Sequence, residues 1–461
     1  MSPRYTLRLT EAQHRALQAH LFPDDSCEAV AFLVCGRRNG SRRHILTTRE
    51  VVLVPFEDCV ERRPDHVRWR TDILESILAS HYGKGQAIVK VHSHRGDFRQ
   101  FSRLDDSSDL GVFQSVASYF GDGLPHASVI MLPSGEMFGR VITSDGALRP
   151  LSAVSVVGDD LRFWTDQTVA RSEAFAQRQA QAFGDHTSTL LRQLTIGVVG
   201  CSGTGSFVVE QLARLGTGRL VLVDPDHIEE KNLSRVVNAS KKDAYLATKK
   251  VSVLAAAIAR MGLGQEVLPL PLNLATVEAV TAIAECDVVF GCMDSAEGRH
   301  LLNRLATFYN LPYFDVGVRL EADGEGGIAG ISSASHYVQP GHSSLLSREV
   351  YTMADVEAEE LRRTSPQLYE RQLADKYIRG VEVERPAVIS VNALAAAVVV
   401  NDFLARLHPY RNLPNRGFAC IRTNFAEMQC YLEGETTACS LLAGHVGRGD
   451  VVPMLDRPYL S

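Results

Sequence analysis

The sequence predicts an α/β protein of two domains: a compact mixed α/β unit, a helical connector, and a second unit built on a parallel-rich sheet. Three observations lead there. At 461 residues the chain exceeds one ordinary hydrophobic core. Up to about residue 150, short strand-like runs alternate with polar helical segments. From Thr195 a new pattern starts: "TIGVVG" reads as a buried strand, a glycine turn follows, "SFVVEQLARLG" is amphipathic at helical period, and "RLVLVD" is the next strand. That order is a βαβ unit.

In chain order, the first unit (1–155) takes its strands from "AVAFLVCG", "REVVLVPF", "QAIVKVHSH", "HASVIMLP" and "MFGRVIT". From Asp159 to Arg192 the composition turns to Ala, Gln and Arg without proline, predicting a helical connector over 156–192. The second unit (193–410) continues its sheet with "CDVVFGCMD" and "PYFDVGV". The stretch 320–385 is polar, rich in glycine or charge, and carries two helical pieces. The most apolar run, "AVISVNALAAAVVV" from Ala387 to Val400, contains Ser390 and Asn392 and is too short to span a bilayer, so it reads as a buried helix. Residues 411–461 form a C-terminal extension, with a turn and then a strand in "PYRNLPNRGFACIRTNF".

Composition narrows the function classes. Hydrophobic residues at 45% and charged residues at 22% describe a globular chain. A net charge of -6 gives no electrostatic case for nucleic acid. Nine cysteines without compact disulfide spacing fit a reducing compartment. "MSPRYTLRLTEAQHRAL" has no apolar leader run, so a cytoplasmic location, with no membrane association, is the expectation.

The first chemical motif is "VHSHRGDFRQFSRLDD". His92 and His94 lie two apart, so on an extended segment both imidazoles face one side. Asp105 can complete a set of two His and one carboxylate, a common catalytic zinc shell whose fourth position is left to water. Zinc would lower the pKa of that water towards about 7. The full spacing, His92-x-His94, seven residues, then Ser102-x-x-Asp105, resembles the JAMM/MPN+ family of zinc isopeptidases over the first 150 or so residues. The resemblance implies a JAB/MPN fold, cytidine-deaminase-like, and cleavage of amide or isopeptide bonds beside a ubiquitin-like C-terminus. It also implies Glu28, in "CEAVAFLVCG", as general base and Ser102 as hydrogen-bond donor to the oxyanion.

The second motif is "GVVGCSGTGS", a glycine loop between a strand and a helix. Gly200, Gly203 and Gly205 let backbone approach phosphates, and the helix N-terminus adds positive dipole. Asp224, closing the next strand, is placed for ribose hydroxyls. A nicotinamide dehydrogenase fits this much equally well. The residues that follow favour adenylation: Asn232 and Arg235 in "VDPDHIEEKNLSRV", Lys249 in "ATKKVSVLAA", and Asp294 in "FGCMDSAEGRHLLN". A triphosphate needs such cations, and departing pyrophosphate needs Mg²⁺ on an acid. The set resembles the ThiF/MoeB/E1 family of ATP-dependent activating enzymes, a Rossmann-like fold, over about residues 171–405. The resemblance implies ATP and Mg²⁺, with Asp224 on the ribose, Asn232, Arg235 and Lys249 on the phosphates, and Asp294 on magnesium. It also implies that Arg178, in "RQAQAFG", reaches the ATP of a neighbouring protomer, hence a homodimer.

Two departures stand out. Ser202 replaces a usual glycine of the loop, while the flanking glycines remain. Many relatives hold a structural zinc with two CxxC pairs; here "QPGHSSLLSR" offers Ser344 and Ser347, and "TTACSLLAGHVGRGD" keeps only Cys439, so a four-cysteine site cannot form. Cys439, in a segment expected to be exposed, is the preferred nucleophile for a thioester; Cys430, Cys420 or no thioester remain the alternatives.

Together the two resemblances imply a bifunctional enzyme of a prokaryotic ubiquitin-like pathway. It would adenylate the C-terminal glycine of a ubiquitin-like protein or sulfur carrier ending in Gly-Gly, and hydrolyse precursors or conjugates. A separate E2-like conjugating protein is a further expected partner. The alternative is a ThiF/MoeB-type adenylyltransferase for a sulfur carrier or another carboxylate in cofactor or metabolite synthesis.

Overall fold

The structure, a computed structural model, describes residues 3–323, 325, 327–374 and 387–461. The last part of the expected polar stretch, 375–386, lies outside the described residues. The chain forms two compact units. One is the chain up to Thr168 with Phe308–Asn310 and His445–Val451; the other is Val169–Thr307, Leu311–Gly444 and Val452–Ser461.

The first unit begins with β1 (Arg4–Thr10) and α1 (Glu11–Leu21), whose start is fixed by a capping box between Thr10 and Gln13. Next come β2 (Val30–Asn39), β3 (Arg43–Leu53), the hairpin of β4 (Cys59–Arg63) and β5 (His66–Trp69), and α2 (Asp72–His81). Then follow β6 (Ala87–Ser93), α3 (Arg103–Phe120), β7 (His126–Met131), β8 (Met137–Ile142), β9 (Leu148–Pro150), β10 (Ala153–Val157) and β11 (Leu161–Thr165). Nine strands make one mixed sheet in the order β11-β10-β1-β3-β2-β6-β7-β8-β9.

Strand alternation sorts this sheet into two cores. Ala31, Leu33, Val89 and Val91 pack with Leu17 and Leu21 of α1. Val30, Phe32, Val34 and Ile88 pack with Leu74 and Ile77 of α2 and Phe113 and Val116 of α3. Lys90 and His92 share the parity of Ile88, so they face α3. Residues 445–451 complete the unit at β2: Gly36 donates to Gly447 O at 3.1 Å, and Asp450 pairs with Arg38 at 3.1 Å. Gly447 and Gly449 adopt positive φ there, and a Cβ on either would strike backbone within 2.4 Å.

The second unit begins with α4 (Gln177–Gln193), interrupted at Gly184, and β12 (Thr195–Val199). It continues with α5 (Gly203–Arg214), β13 (Arg219–Val223), α6 (Lys241–Tyr245), α7 (Lys250–Met261), β14 (Glu266–Leu270), α8 (Val277–Ala284), β15 (Val288–Gly291) and α9 (Ala296–Phe308). After β16 (Tyr313–Ala322) and β17 (Ile328–Val338) come α10 (Met353–Thr364), α11 (Pro366–Ala374), α12 (Ile389–Leu407), β18 (Cys420–Asn424) and β19 (Gln429–Glu433). The sheet order is β14-β13-β12-β15-β16-β17-β18-β19, parallel from β14 to β16 and antiparallel beyond. Val198, Leu222 and Phe290 are buried on strands that read as continuous apolar runs, as a sheet covered on both faces requires. The fold is α/β, with a Rossmann-like, parallel-rich sheet in this unit.

Several expectations change in detail. The stretch 156–192 is not one helical connector: β11 occupies 161–165 and pairs antiparallel with β10 after the turn at Gly158–Asp160. The helix α4 starts only at Gln177, and the boundary between units falls at Thr168. The extension 411–461 is divided, with β18 and β19 in the second sheet and 445–451 in the first unit. The apolar run at 387–400 is the start of α12, nineteen residues long. It is long and apolar enough to cross a membrane, but 61% of it is buried within the protein. Phe403 packs edge-on against Phe290 and Phe314, both at 5.8 Å.

Candidate functional site

Two sets of residues converge, one in each unit. In the first, β6 presents His92 opposite Val30 of β2, so Glu28, two residues before β2, stands level with His94. Ser102 is the N-cap of α3: its Oγ accepts from Asp105 N at 3.1 Å, while Asp105 Oδ2 accepts from Ser102 N and Oγ, both at 2.7 Å. This box turns Asp105 toward the histidines. Oδ1 lies 3.1 Å from His92 Nε2 and Oδ2 lies 3.7 Å from His94 Nε2. One donor atom from each residue falls within 4.8 Å of the others. His94 Nδ1 donates to Phe98 O at 3.2 Å, which leaves Nε2 to bind. Both ring nitrogens of His92 are buried without a well-aligned hydrogen bond, although Nε2 lies beside Asp105. Such a convergence of lone pairs is what a cation would relieve, and this donor set fits zinc. A cavity of about 270 Å³ opens over the group, lined among others by Glu28, Trp69, His92, His94 and Asp105.

The electrostatics follow from burial. Burial holds Glu28 protonated up to about 8, with His94 pulling the other way. Burial lowers His92, opposed by Asp105. For His94, burial is outweighed by Asp105 and the Phe98 carbonyl, which raise it. Burial would raise Asp105, but the two histidines and Ser102 hold it well below the usual carboxylate range. The Glu28 loop is clamped by two arginines that sequence reasoning did not single out: Arg62 Nε donates to Glu28 O at 3.1 Å and Arg95 Nε to Cys27 O at 3.0 Å.

In the second unit, strands β13 and β14 lie to one side of β12 and β15 and β16 to the other, so β12 ends at a topological switch point. The glycine loop sits there. Gly200 has φ +88°, and a Cβ on Gly205 would lie 1.8 Å from Gly200 O. Asp224 accepts from Cys201 N at 2.7 Å and from Asp226 N at 2.9 Å, and burial raises its pKa, opposed by Lys250. Arg235 passes the loop, with Cδ 3.3 Å from where a Gly203 Cβ would stand. Lys249 Nζ is exposed and donates to Pro225 O at 2.6 Å, beside Asp224. Asn232 is buried, its Oδ1 accepting from Glu229 N at 3.0 Å. Asp294 is exposed in the turn after β15, next to the Cys292–Met293 backbone that abuts Gly200. Its charge reaches Arg299 and Glu359.

Arg178 is not brought to this loop within its own chain. It is exposed in the first turn of α4, and its neighbour Gln179 bonds Leu215 O at the far end of α5. The 12 residues of α5 place that point about 18 Å from the glycine loop. Two further residues join the site unannounced by any local motif: Lys250, buried, 2.8 Å from Asp226, and Asn392 of α12, whose amide lies against Gly203. The pair of adjacent lysines was the available signal for the first.

Cys439 differs from expectation: it is buried, 3% exposed, because its N–H bonds His342 O at 3.1 Å and folds the segment inward. Ser344 and Ser347 bond each other in a serine turn, with N to Oγ distances of 2.9 and 3.3 Å. Glu435 ties the two segments together through Arg348 and Ser343. Among the described residues Cys430 is the exposed cysteine, on β19.

Comparison with known proteins gives partial matches. The bovine (Bos taurus) adenylyltransferase and sulfurtransferase MOCS3 is 38% identical over 106 residues, 23% of this chain and 23% of that protein. The ubiquitin-like modifier-activating enzyme 5 of Culex quinquefasciatus is 26% identical over 166 residues, 33% of this chain and 39% of that one. The chain thus spans less than half the length of these curated relatives. Among solved structures, E. coli MccB with ATP is 18% identical, covering 58% of this chain and 74% of that one at a TM-score of 0.44. The family model described as "ThiF family" matches residues 176–428, more than half of the chain. The chain belongs to the ThiF family.

Proposed function

We propose that the second unit adenylates a carboxylate with Mg-ATP. The observation that carries this is the gathering of Asp224, Arg235, Lys249 and Asp294 around the glycine loop at the switch point, in a ThiF-family chain. The carboxylate oxygen bonds the α-phosphorus as the bond to the bridging oxygen breaks, giving an acyl adenylate and pyrophosphate. Loop amides and the α5 N-terminus face the phosphates. Arg235 and Lys249 neutralise the developing charge, Asn232 assists them, Asp224 takes the ribose, and Asp294 would hold magnesium. The names of the relatives, a sulfurtransferase and a ubiquitin-like modifier-activating enzyme, favour a ubiquitin-like protein or sulfur carrier as substrate, and the family resemblance adds the expectation of a Gly-Gly end. Burial of Cys439 favours release of the adenylate to an external acceptor over a thioester on that residue.

We further propose that the first unit is a JAMM-like zinc hydrolase acting on amide or isopeptide bonds of the same carrier, in a cytoplasmic pathway. His92, His94 and Asp105 would hold zinc, whose Lewis acidity favours ionisation of water and polarises a carbonyl. Glu28 accepts the proton of the attacking water and returns it to the leaving amine. Ser102 Oγ, which now donates to Asp105, turns to donate to the carbonyl oxygen.

The test uses the full chain with Mg-ATP, a Gly-Gly-ending carrier and labelled pyrophosphate, with metal content measured in parallel. Carrier-dependent exchange that Arg235→Ala and Asp294→Ala each abolish is expected, as is about one zinc per chain, lost in His92→Ala. Exchange that persists undiminished in both variants would sink the first proposal. A zinc-free wild type reconstituted with excess zinc and still empty would sink the second.

A further inference from the structure

Beneath the His92–Asp105 pair lies a second strand–helix pair with the same geometry. Lys90 precedes His92 by two residues on β6, about 6.6 Å down the strand. Asp109 follows Asp105 by four residues on α3, about 6 Å along the helix axis. The two steps match, so Lys90 meets Asp109 as His92 meets Asp105. Asp109 is fully buried and forms an ion pair with Lys90, itself 4% exposed. From β8, Arg140 adds a fork: Nη2 and Nε reach Asp109 Oδ2 at 2.7 and 3.2 Å, and Nη1 pairs with Asp106. The same guanidinium lies 3.7 Å over the ring of Phe101, which packs edge-on to His92 at 6.5 Å. Asp105 is thereby flanked on its own helix by two carboxylates, both fastened to the sheet.

Burying these charges is expensive unless every partner is kept. Their use here is registry. Apolar packing of Phe113 and Val116 holds α3 to the sheet but is non-directional, so without a polar clamp the helix could turn or slide a little, and a small rotation would carry Asp105 away from the imidazoles. We infer that Asp109, clamped by Lys90 and Arg140, is a positioning residue that fixes the register of α3 on β6 and so presents Asp105 to the metal. This rests on the zinc reading above.

The experiment measures the zinc dissociation constant of the full chain by chelator competition, and the absorption spectrum of its cobalt-substituted form, on protein shown folded by circular dichroism. Asp109→Asn should weaken zinc binding by about 10–100-fold, the range found when groups supporting metal ligands are lost. It should also alter the cobalt spectrum. The double variant Lys90→Met/Asp109→Asn should stay as weak, because the register is still unpinned. If the double variant regains wild-type affinity, the loss came from an unpaired lysine beside the metal and the inference falls. It falls too if folded Asp109→Asn binds zinc like wild type. Should Asp109→Asn fail to fold, Arg140→Lys keeps the charge and removes the fork; a weakened affinity supports the register, and an unchanged one overturns it. A wild type that binds no zinc refutes the underlying site instead.

Discussion

Glu28 sits in an environment that holds its proton up to about 8, against an ordinary 4.5, because it is buried beside the histidines. In the unfolded chain it ionises above 4.5; in the folded, metal-free chain it stays neutral until about 8. The folded state then binds the extra proton, so this residue makes stability fall as pH rises through that window. A divalent cation held by His92, His94 and Asp105 would lower the pKa and flatten the dependence. The melting temperature of metal-free wild type should therefore drop more from pH 5 to pH 8 than that of metal-free Glu28→Gln, and zinc should narrow the difference. Equal slopes for the two metal-free proteins would contradict the buried, protonated state. At this scale much of the site was legible in the sequence. His92, His94, Ser102 and Asp105 are placed by strand alternation and by a helix cap, both local rules. Lys90, Asp109, Arg140 and the Arg62 and Arg95 clamp were not legible, because their pairing arises only when a helix and distant strands pack. The expected exposure of Cys439 fails for the same reason: a Gly- and Ser-flanked segment looks exposed until His342 supplies its hydrogen bond.

At the scale of elements, the glycine loop joins β12 to α5 through close approaches at Gly203 and Gly205. A methyl at Gly205 would meet the Gly200 carbonyl at 1.8 Å, and one at Gly203 the Asn392 amide at 2.3 Å. The two differ in kind. The first obstacle is backbone, which must move; the second is the end of a side chain, which can turn aside. Gly205→Ala should therefore cost more than the ordinary 1 kcal/mol or so of a strained glycine site and remove ATP binding. Gly203→Ala should keep ATP binding within about tenfold. Thermal melts and titration with a fluorescent ATP analogue separate the two, and an Ala at 205 that binds normally would refute the packing argument. The βαβ unit was legible because parallel strands buried on both faces read as apolar runs. Strand β11 was not: "LRFWT" is short, its residues alternate only weakly, and its pairing with β10 depends on the turn at Gly158–Asp160. Strand β1, likewise, carries Arg4, Thr6 and Arg8 on one parity; Thr6 and Arg8 are nonetheless buried, and Arg8 Nη1 donates to a distant partner, Tyr309 O, at 3.1 Å.

At the scale of the whole molecule, the two proposed chemistries draw on different units of one chain, and one residue of the proposed adenylation set stands apart from the rest. Arg178 lies at the wrong end of α5 to serve its own glycine loop, since an arginine side chain reaches about 7 Å and the gap is about 18 Å. If it contributes to catalysis, it does so in a second copy, as the family resemblance implies. A complementation experiment decides. Arg178→Ala and Arg235→Ala should each be inactive alone in carrier-dependent pyrophosphate exchange. Refolded together at equal amounts, half the dimers of a symmetric assembly are mixed, and in each mixed dimer one site regains both arginines. Activity should return to about a quarter of wild type by that count. Exchange of tagged and untagged copies, read by pull-down, shows whether mixed dimers formed. Mixed dimers without recovered activity would place Arg178 outside the reaction, and an active Arg178→Ala would do so directly. Glu28→Gln, meanwhile, should leave the exchange rate unchanged, because no step of the proposed adenylation uses Glu28.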